Sequence, residues 1–372
     1  MHAAAGSDRM KSGMKVLFIC PTVAGYIGGT ETVVGQLARR VKDKVELTVL
    51  SATPSGKPLI DSTGFELLTL PFLGRDSRYN RLLSKLLMTS RFKIESYSFF
   101  RSLAKSDIDL TRYDAIVSFY EADAYLLERQ YPALRARCHH LLPGVSMRGF
   151  FRRVPAQRVR FFGYRAAPRA KRKWHVDVQS LPLGVDEVFF PPELPAYPHD
   201  RRLVFVGRLD KSKHIDWLAD FFVRSGLAAR GYRLDIIGDG PLQASMQANY
   251  GPASGIHLHG RQRAEDVARM LRQAFLLLHP TDLESFGLTI LEGMAAGVPV
   301  ITHALDSVKV WAGDHPCYAA HLDHASWLNE IESFEQRTRW EQTSSRNLAF
   351  AQEFTWDRIA DQVLAIVQCR PE

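Results

Sequence analysis

Apolar positions follow two alternating rhythms along this chain. Short apolar runs, each the length of one buried strand, are followed by a turn and then by a stretch with apolar residues three and four apart. The first such unit is Met14–Cys20, the glycine-rich loop Thr22–Thr32, the periodic stretch Glu31–Val41 and a second run, Val45–Ser51. Phe65–Leu70, Tyr113–Phe119 and Arg137–Leu142 continue the series as strands, with Ala122–Gln130 as a helix. The pattern then restarts. Arg202–Gly207, Tyr232–Ile237, Gly255–Gly260 and Ala274–Leu278 read as strands, with helices at Ile215–Ser225 and Ala264–Gln273. A helix over Leu288–Ala296 and a strand over Val298–Thr302 follow; the pattern weakens through His303–Pro316. Ala325–Phe350 reads as helices, and Phe354–Val367 as a closing amphipathic helix. Strands alternating with helices of this length predict parallel sheets, and the restart predicts two.

Pro191, Pro192, Pro195 and Pro198 crowd the stretch before the restart and predict a stiff connector over 191–200. The expected organisation is a disordered leader at 1–13, a first domain at 14–190 and a second at 201–353. With 372 residues the chain can build two separate cores. Hydrophobic residues make up 46% and charged residues 24%, the balance of a soluble globular protein. No apolar run approaches the roughly 18 residues of a membrane span. Met14–Val23, with Lys11 ahead of it, has the polarity of a signal-peptide core, but the turn and helix that follow at once favour a strand. Cys20, Cys138, Cys317 and Cys369 lie far apart with no C-x-x-C pair, which speaks against a zinc site or disulfide framework and for a reducing, cytoplasmic compartment.

The net charge of +8 is concentrated. Arg75–Lys105 is a basic, amphipathic helical region with leucines and aromatics. Residues 147–174 hold ten Lys or Arg and no Asp or Glu, interleaved with Phe150, Phe151, Phe161, Phe162, Tyr164 and Trp174. Cations beside aromatics suit an anionic membrane surface, a lipid diphosphate or a nucleic-acid backbone. The preferred partner is an acidic or lipid-linked acceptor, with peripheral contact to an anionic membrane through 147–174 and no nucleic acid. The competing reading is a solvated helical face whose aromatics are core.

The most informative stretch is His279–Thr302, HPTDLESFGLTILEGMAAGVPVIT. An apolar strand ends at Pro280, a polar turn follows, and Phe286–Gly287 opens the helix that Gly297 and Pro299 close. Glu284 stands just before this helix and Glu292 lies within it, off the apolar stripe of Leu288, Ile290, Leu291, Met294 and Ala295. Free N–H groups and the positive end of the helix dipole make its N-terminus a phosphate site. Carboxylates accept hydrogen bonds from sugar hydroxyls, so two of them flanking such a site suit a sugar joined to a phosphate.

E-S-F-G-L-T-I-L-E followed by G-M-A-A-G-V-P-V-I resembles the E-x7-E signature of retaining glycosyltransferases of family 4 (group 1), which have the GT-B fold. That resemblance implies two Rossmann-like parallel-sheet domains facing a deep interdomain cleft, with the helix at 354–369 packing back on the first domain. VFVGRLDKSKH at Val204–His214 is similar to the family's G-R-L-x-x-x-K-G element, with His214 where glycine is usual. By resemblance, Arg208 and Lys213 hold the donor diphosphate and Glu284 contacts the donor sugar; these three are the candidate catalytic residues. Cations there stabilise charge that grows on the leaving diphosphate. Gly207, Ser285, Phe286, Gly287, Leu288 and Thr289 line the phosphate and sugar, and Glu292 holds the ribose. Gly238, Asp239 and Gly240 line the nucleotide side, and Arg261 stands near the base. In the first domain, G-G-T-E places Gly28 and Gly29 on the donor side and Glu31 toward the acceptor.

One departure concerns the first domain. Where the family commonly has a histidine that meets the sugar, this chain reads Tyr120-Glu121-Ala122-Asp123. Tyr120 takes that slot, or His139 or His140 reaches in from the next strand; the competing reading leaves both histidines as ordinary partly buried residues. The implied reaction is retaining transfer of a hexose-type sugar from a UDP- or GDP-sugar to an acceptor hydroxyl, in cell-envelope polysaccharide, glycolipid or natural-product synthesis. No cofactor or metal is expected. The alternatives are a sugar-nucleotide isomerase or phosphorylase of similar shape, or a non-catalytic basic membrane- or nucleic-acid-binding protein. The resemblance leaves donor, acceptor, linkage and oligomeric state open.

Overall fold

A computed structural model describes residues 13–26 and 28–369. The leader expected at 1–13 lies outside the described residues apart from Gly13. The chain divides into two compact units: residues through Leu181 joined by Trp356 onward, and Pro182–Thr355.

The first unit runs β1 (Lys15–Ile19), α1 (Gly29–Val41), β2 (Glu46–Ala52), β3 (Glu66–Leu70), α2 (Arg78–Leu86), α3 (Arg91–Leu103), β4 (Ala115–Ser118), α4 (Glu121–Gln130), β5 (Cys138–Leu142), β6 (Val159–Phe162), α5 (Ala166–Trp174) and β7 (Gln179–Leu181). Its strands form one parallel sheet in the order β3-β2-β1-β4-β5-β6-β7. β1 and β4 are almost wholly apolar because helices cover both faces of a parallel sheet.

The second unit runs β8 (Arg201–Val206), α6 (Ile215–Arg224), β9 (Tyr232–Ile237), α7 (Gln243–Asn249), β10 (Ile256–Gly260), α8 (Ala264–Arg272), β11 (Leu276–His279), α9 (Leu288–Ala295), β12 (Val300–His303), α10 (Asp306–Ala312), β13 (Cys317–Ala319), α11 (His324–Ser333) and α12 (Arg337–Ala351). Its sheet is also parallel, ordered β10-β9-β8-β11-β12-β13. The last helix, α13 (Trp356–Gln368), belongs to the first unit, where Arg40 pairs with Asp357 at 3.3 Å and Lys44 with Asp361.

The units meet in sequence at Leu181/Pro182, earlier than the proline-rich connector expected at 191–200. Packing explains the difference. Val185 N–H donates to Phe354 O at 2.8 Å, and Arg272 Nη1 donates to Val188 O at 3.4 Å. Within the proline stretch, Tyr197 sets its ring edge-on against Phe275 and Trp340. Prolines stiffen this segment, but apolar burial fixes it to the second unit.

The segment 147–174 also differs from its sequence reading. It contributes β6, an inner strand of the first sheet, then α5. Phe150, Phe161 and Phe162 are buried, and Phe151 packs between Phe150 and Trp174. Its aromatics therefore serve the core, while Arg165, Arg169, Lys171, Arg172 and Lys173 stay exposed. The weak pattern of 303–316 hides α10, whose Val308 and Trp311 are buried.

In the second unit the loops after β8 and β9 touch backbone to backbone. Gly207 N–H donates to Ile237 O at 3.0 Å and Leu209 N–H to Asp239 O at 2.8 Å. A Cβ on Gly238 would stand 1.9 Å from Gly207 O, and Gly238 has φ +139°. Only glycine allows that approach. The Gly238-Asp239-Gly240 loop is thus required by the fold itself.

Candidate functional site

The site in the second unit is built on the carboxyl ends of β8 and β11, which are hydrogen-bonded neighbours. Loops in that position are where open parallel sheets bind ligands. After β8, Asp210 caps a short turn by accepting from Ser212 N–H at 3.0 Å and Ser212 Oγ at 2.7 Å, and this turn presents Lys213. After β11, Asp282 N–H and Thr281 Oγ1 both donate to Ser212 O, at 3.2 and 3.3 Å, and so tie the two loops together.

Their joint product is a three-membered charge cluster. The Lys213 ammonium is hydrogen-bonded to Glu284 Oε1, and His279 Nε2 approaches the same oxygen at 3.0 Å. The side chains of Lys213 and Glu284 are 17% and 16% exposed, and His279 is buried. Burial alone would raise the Glu284 carboxyl; the His279 hydrogen bond and the Lys213 charge instead hold it at about 2. Glu284 is therefore fully ionised and its partner cation is fixed in place. His279 was not singled out from sequence. It ends an apolar strand, where a lone histidine reads as core, and only its contact with Glu284 marks it.

α9 continues from this cluster. Gly287 is its N-cap, and the N–H groups of Gly287, Leu288 and Thr289 meet no acceptor among the described residues. Trp311 stacks on Phe286 at 4.4 Å between ring centres and donates Nε1–H to Phe286 O at 2.8 Å, while Ser307 Oγ donates to Glu284 O at 2.8 Å. These bonds fix the turn that aims the helix end. Gly293 lets α9 lie close on the sheet: a Cβ there would stand 2.5 Å from Leu277 Cδ2. One residue earlier, Glu292 makes no side-chain hydrogen bond among the described residues. Burial, with the Asp186 charge adding to it, raises its carboxyl to about 7.

The remaining candidates divide. Arg208 is 68% exposed and pairs with Asp210 Oδ2 at 3.4 Å, outside the Lys213–Glu284 cluster. Ser285, Asp239 and Arg261 are exposed. Gly207, Gly238 and Gly240 are backbone contacts between the loops. Phe286 turns its ring into the aromatic core, leaving only backbone toward the helix end.

In the first unit the structure brings Glu31 and Tyr120 together. The hydroxyls of Thr22 and Tyr120 each lie 2.5 Å from Glu31 Oε1 and donate to it. Gly28 caps α1 and Gly29 opens it; a Cβ on Gly28 would stand 2.5 Å from Glu31 Oε2. His139 and His140 do not join this group. His140 is wholly buried on β5, with Nδ1 2.8 Å from Ser118 Oγ and Nε2 3.3 Å from Glu128 Oε1. Burial pushes His139 down to about 4. Both are interior histidines.

The chain is similar to several known proteins. Residues 200–335 match the family model described as glycosyl transferases group 1. The second unit is therefore similar to glycosyl transferases group 1 over these residues. A GDP-mannose-dependent α-(1-6)-phosphatidylinositol dimannoside mannosyltransferase of Mycobacterium tuberculosis is 32% identical over 205 residues, 50% of this chain and 51% of that protein. The D-rhamnosyltransferase WbpZ of Pseudomonas aeruginosa is 25% identical over 81% of each chain. The chain spans about half the length of the first curated relatives it matches. Among solved structures, Anabaena HepE in complex with UDP and glucose aligns with a TM-score of 0.68 over 95% of this chain and 99% of its own, at 16% identity. Sucrose-phosphate synthase of Thermosynechococcus elongatus aligns at 0.69 over 95% and 98%, at 17% identity. The two Rossmann-like parallel-sheet units, and these structural neighbours, give the chain the GT-B fold.

The raised carboxyl of Glu292 has a measurable consequence. Its folded state favours the protonated form, so its cost to stability is small below about pH 4.5 and grows as pH rises to about 7. Glu292→Gln mimics the neutral form. The variant is expected to match wild type in melting temperature near pH 4.5 and to exceed it near pH 8, by roughly 2–4 °C for each kcal/mol relieved. A difference that does not change with pH would contradict the burial assigned to this carboxyl.

Proposed function

We propose that this chain is a retaining glycosyltransferase that moves a hexose-type sugar from a nucleoside diphosphate to an acceptor hydroxyl. The observation that carries the reading is the Lys213–Glu284–His279 cluster set directly before the unpaired N–H groups of α9. An ammonium already withdrawn from water is held where a diphosphate would meet the helix end, and Arg208, exposed on the same loop, adds a second cation. As the sugar–phosphate bond breaks, the charge developing on the leaving diphosphate gains more from these groups than the ground state does. Glu284, kept ionised, accepts hydrogen bonds from sugar hydroxyls. Glu292, without a partner of its own, accepts from a ribose. GDP-mannose is the first donor to try, because the mycobacterial relative's name specifies it; UDP-glucose is the second.

An acceptor carried on an anionic lipid surface fits the first unit, through a different segment from 147–174. Tyr79, Leu82, Leu86, Leu87, Met88 and Phe92 are exposed on α2, the following turn and the start of α3. Arg78, Arg81, Lys85 and Arg91 are exposed among them, and no Asp or Glu occurs from 77 to 94. Apolar side chains ringed by cations seat in the headgroup region of an anionic bilayer. No described helix is long and apolar enough to cross one.

Two measurements follow. Nucleoside diphosphate release from GDP-mannose and UDP-glucose, with and without an acceptor extract, should detect turnover by the wild-type chain; Lys213→Ala should lower it by about two to three orders of magnitude. Wild-type turnover in the variant would remove Lys213 from the chemistry. In flotation with phosphatidylglycerol vesicles, wild type should rise with the lipid and Leu86→Glu/Met88→Glu should stay below. Equal flotation of both would remove α2–α3 as the contact.

A further inference from the structure

Beside the Lys213–Glu284 pair, on its solvent side, lies a second cluster that the proposed transfer does not use. Asp282 is the centre. His214 Nε2 stands 2.5 Å from Asp282 Oδ2, and His321 Nε2 stands 2.7 Å from Asp282 Oδ1. The two imidazole nitrogens and the carboxylate all lie within 4.8 Å of one another. These residues come from three loops at the same edge of the second sheet, after β8, β11 and β13, so the grouping is made by the fold and not by chain neighbours.

A third histidine points at the group from the interior. His303, at the end of β12, is 3% exposed, and its Nδ1 lies 3.7 Å from Asp282 Oδ1. Its Nε2 accepts from Leu322 N–H at 3.3 Å, so in the neutral ring the proton sits on Nδ1 and faces the carboxylate. At 3.7 Å this is not a hydrogen bond, but it puts a donor behind the carboxylate, where the partners of ligating carboxylates stand.

We propose that His214, Asp282 and His321 form a binding site for a divalent transition-metal ion of the zinc class, with His303 positioning the carboxylate. Two imidazoles and one carboxylate are the donor set of Zn²⁺, Co²⁺ or Ni²⁺; Mg²⁺ and Ca²⁺ prefer all-oxygen sites. Ligand atoms around one tetrahedral zinc sit about 3.3 Å apart at metal–ligand distances of about 2.0–2.1 Å. His321, 60% exposed on its loop, closes the set by a small rotation. The ion replaces the protons that His214 and His321 now share with Asp282. It ties together the loop that follows Lys213 and the loop that leads to Glu284, and so stiffens the cluster without touching it. The site is an addition to the glycosyltransferase reading and does not depend on it.

The test needs no sugar donor. Co²⁺ titrated into the chelator-treated full chain, free of any polyhistidine tag, should give one equivalent of visible d–d absorption, which Zn²⁺ then bleaches. His321→Ala and Asp282→Ala should each weaken Co²⁺ binding by at least about tenfold. His175→Ala, which changes an exposed histidine in the first unit, should leave it as in wild type. His321→Ala removes an exposed side chain and keeps the fold, which circular dichroism verifies, so lost binding there reports lost ligation. No Co²⁺ spectrum in the wild-type chain, or the same affinity in wild type and His321→Ala, would overturn the site.

Discussion

A carboxylate and an ammonium that both leave water must find each other, and much of the second unit serves that requirement. The pair of Lys213 and Glu284, with His279 against the same oxygen, is mostly buried and so is strongly destabilising if either partner is removed alone. Its geometry follows from β8 lying beside β11, from Ser212 O gathering the two loops, and from glycines that let the neighbouring loops meet backbone to backbone. A cation held this way loses little freedom when a ligand's negative charge arrives, because it has already been ordered. Removing the pair would leave the end of α9 with unpaired N–H groups and nothing to select what binds there.

The two units divide the polar chemistry unequally. In the second, charges stand near the ends of strands, and the paired ones retain some exposure. In the first, Glu31 is closed in by the hydroxyls of Thr22 and Tyr120, and burial raises the Tyr120 phenol. His140, Glu128 and Arg158 form a network sealed into the sheet's interior, where Arg158 Nη1 lies 3.0 Å from Glu128 Oε1. Such a network fixes β5 against α4 and is not available to a ligand.

Most of the fold was legible because parallel strands buried on both faces are continuous apolar runs, as Met14–Cys20 and Ala274–Leu278 show. β6 escaped notice because Arg160 interrupts Val159–Phe162 within a basic stretch, and β13 because Cys317–Ala319 is too short to carry a period. Charge density misdirected the reading of 147–174: composition counts cations but does not say which way the aromatics face. In the site, Lys213 and Glu284 were legible as loop residues and Glu292 as a residue of the helix that follows Glu284. The sequence could not reveal His279 or Asp282, since their roles arise from contacts between β8 and β11 that local spacing does not encode. The histidines of 138–142 were misleading for the same reason, being strand residues whose partners, Ser118 and Glu128, lie on other elements.

The central claim is that the Lys213 ammonium exchanges its carboxylate neighbour for a ligand's terminal phosphate. Titration calorimetry with GDP against GMP, and UDP against UMP, tests it most directly. The wild-type chain should bind one diphosphate more tightly than its monophosphate by about tenfold or more, and Lys213→Met should bind the two nearly alike. A diphosphate preference of the same size in both proteins would contradict the account.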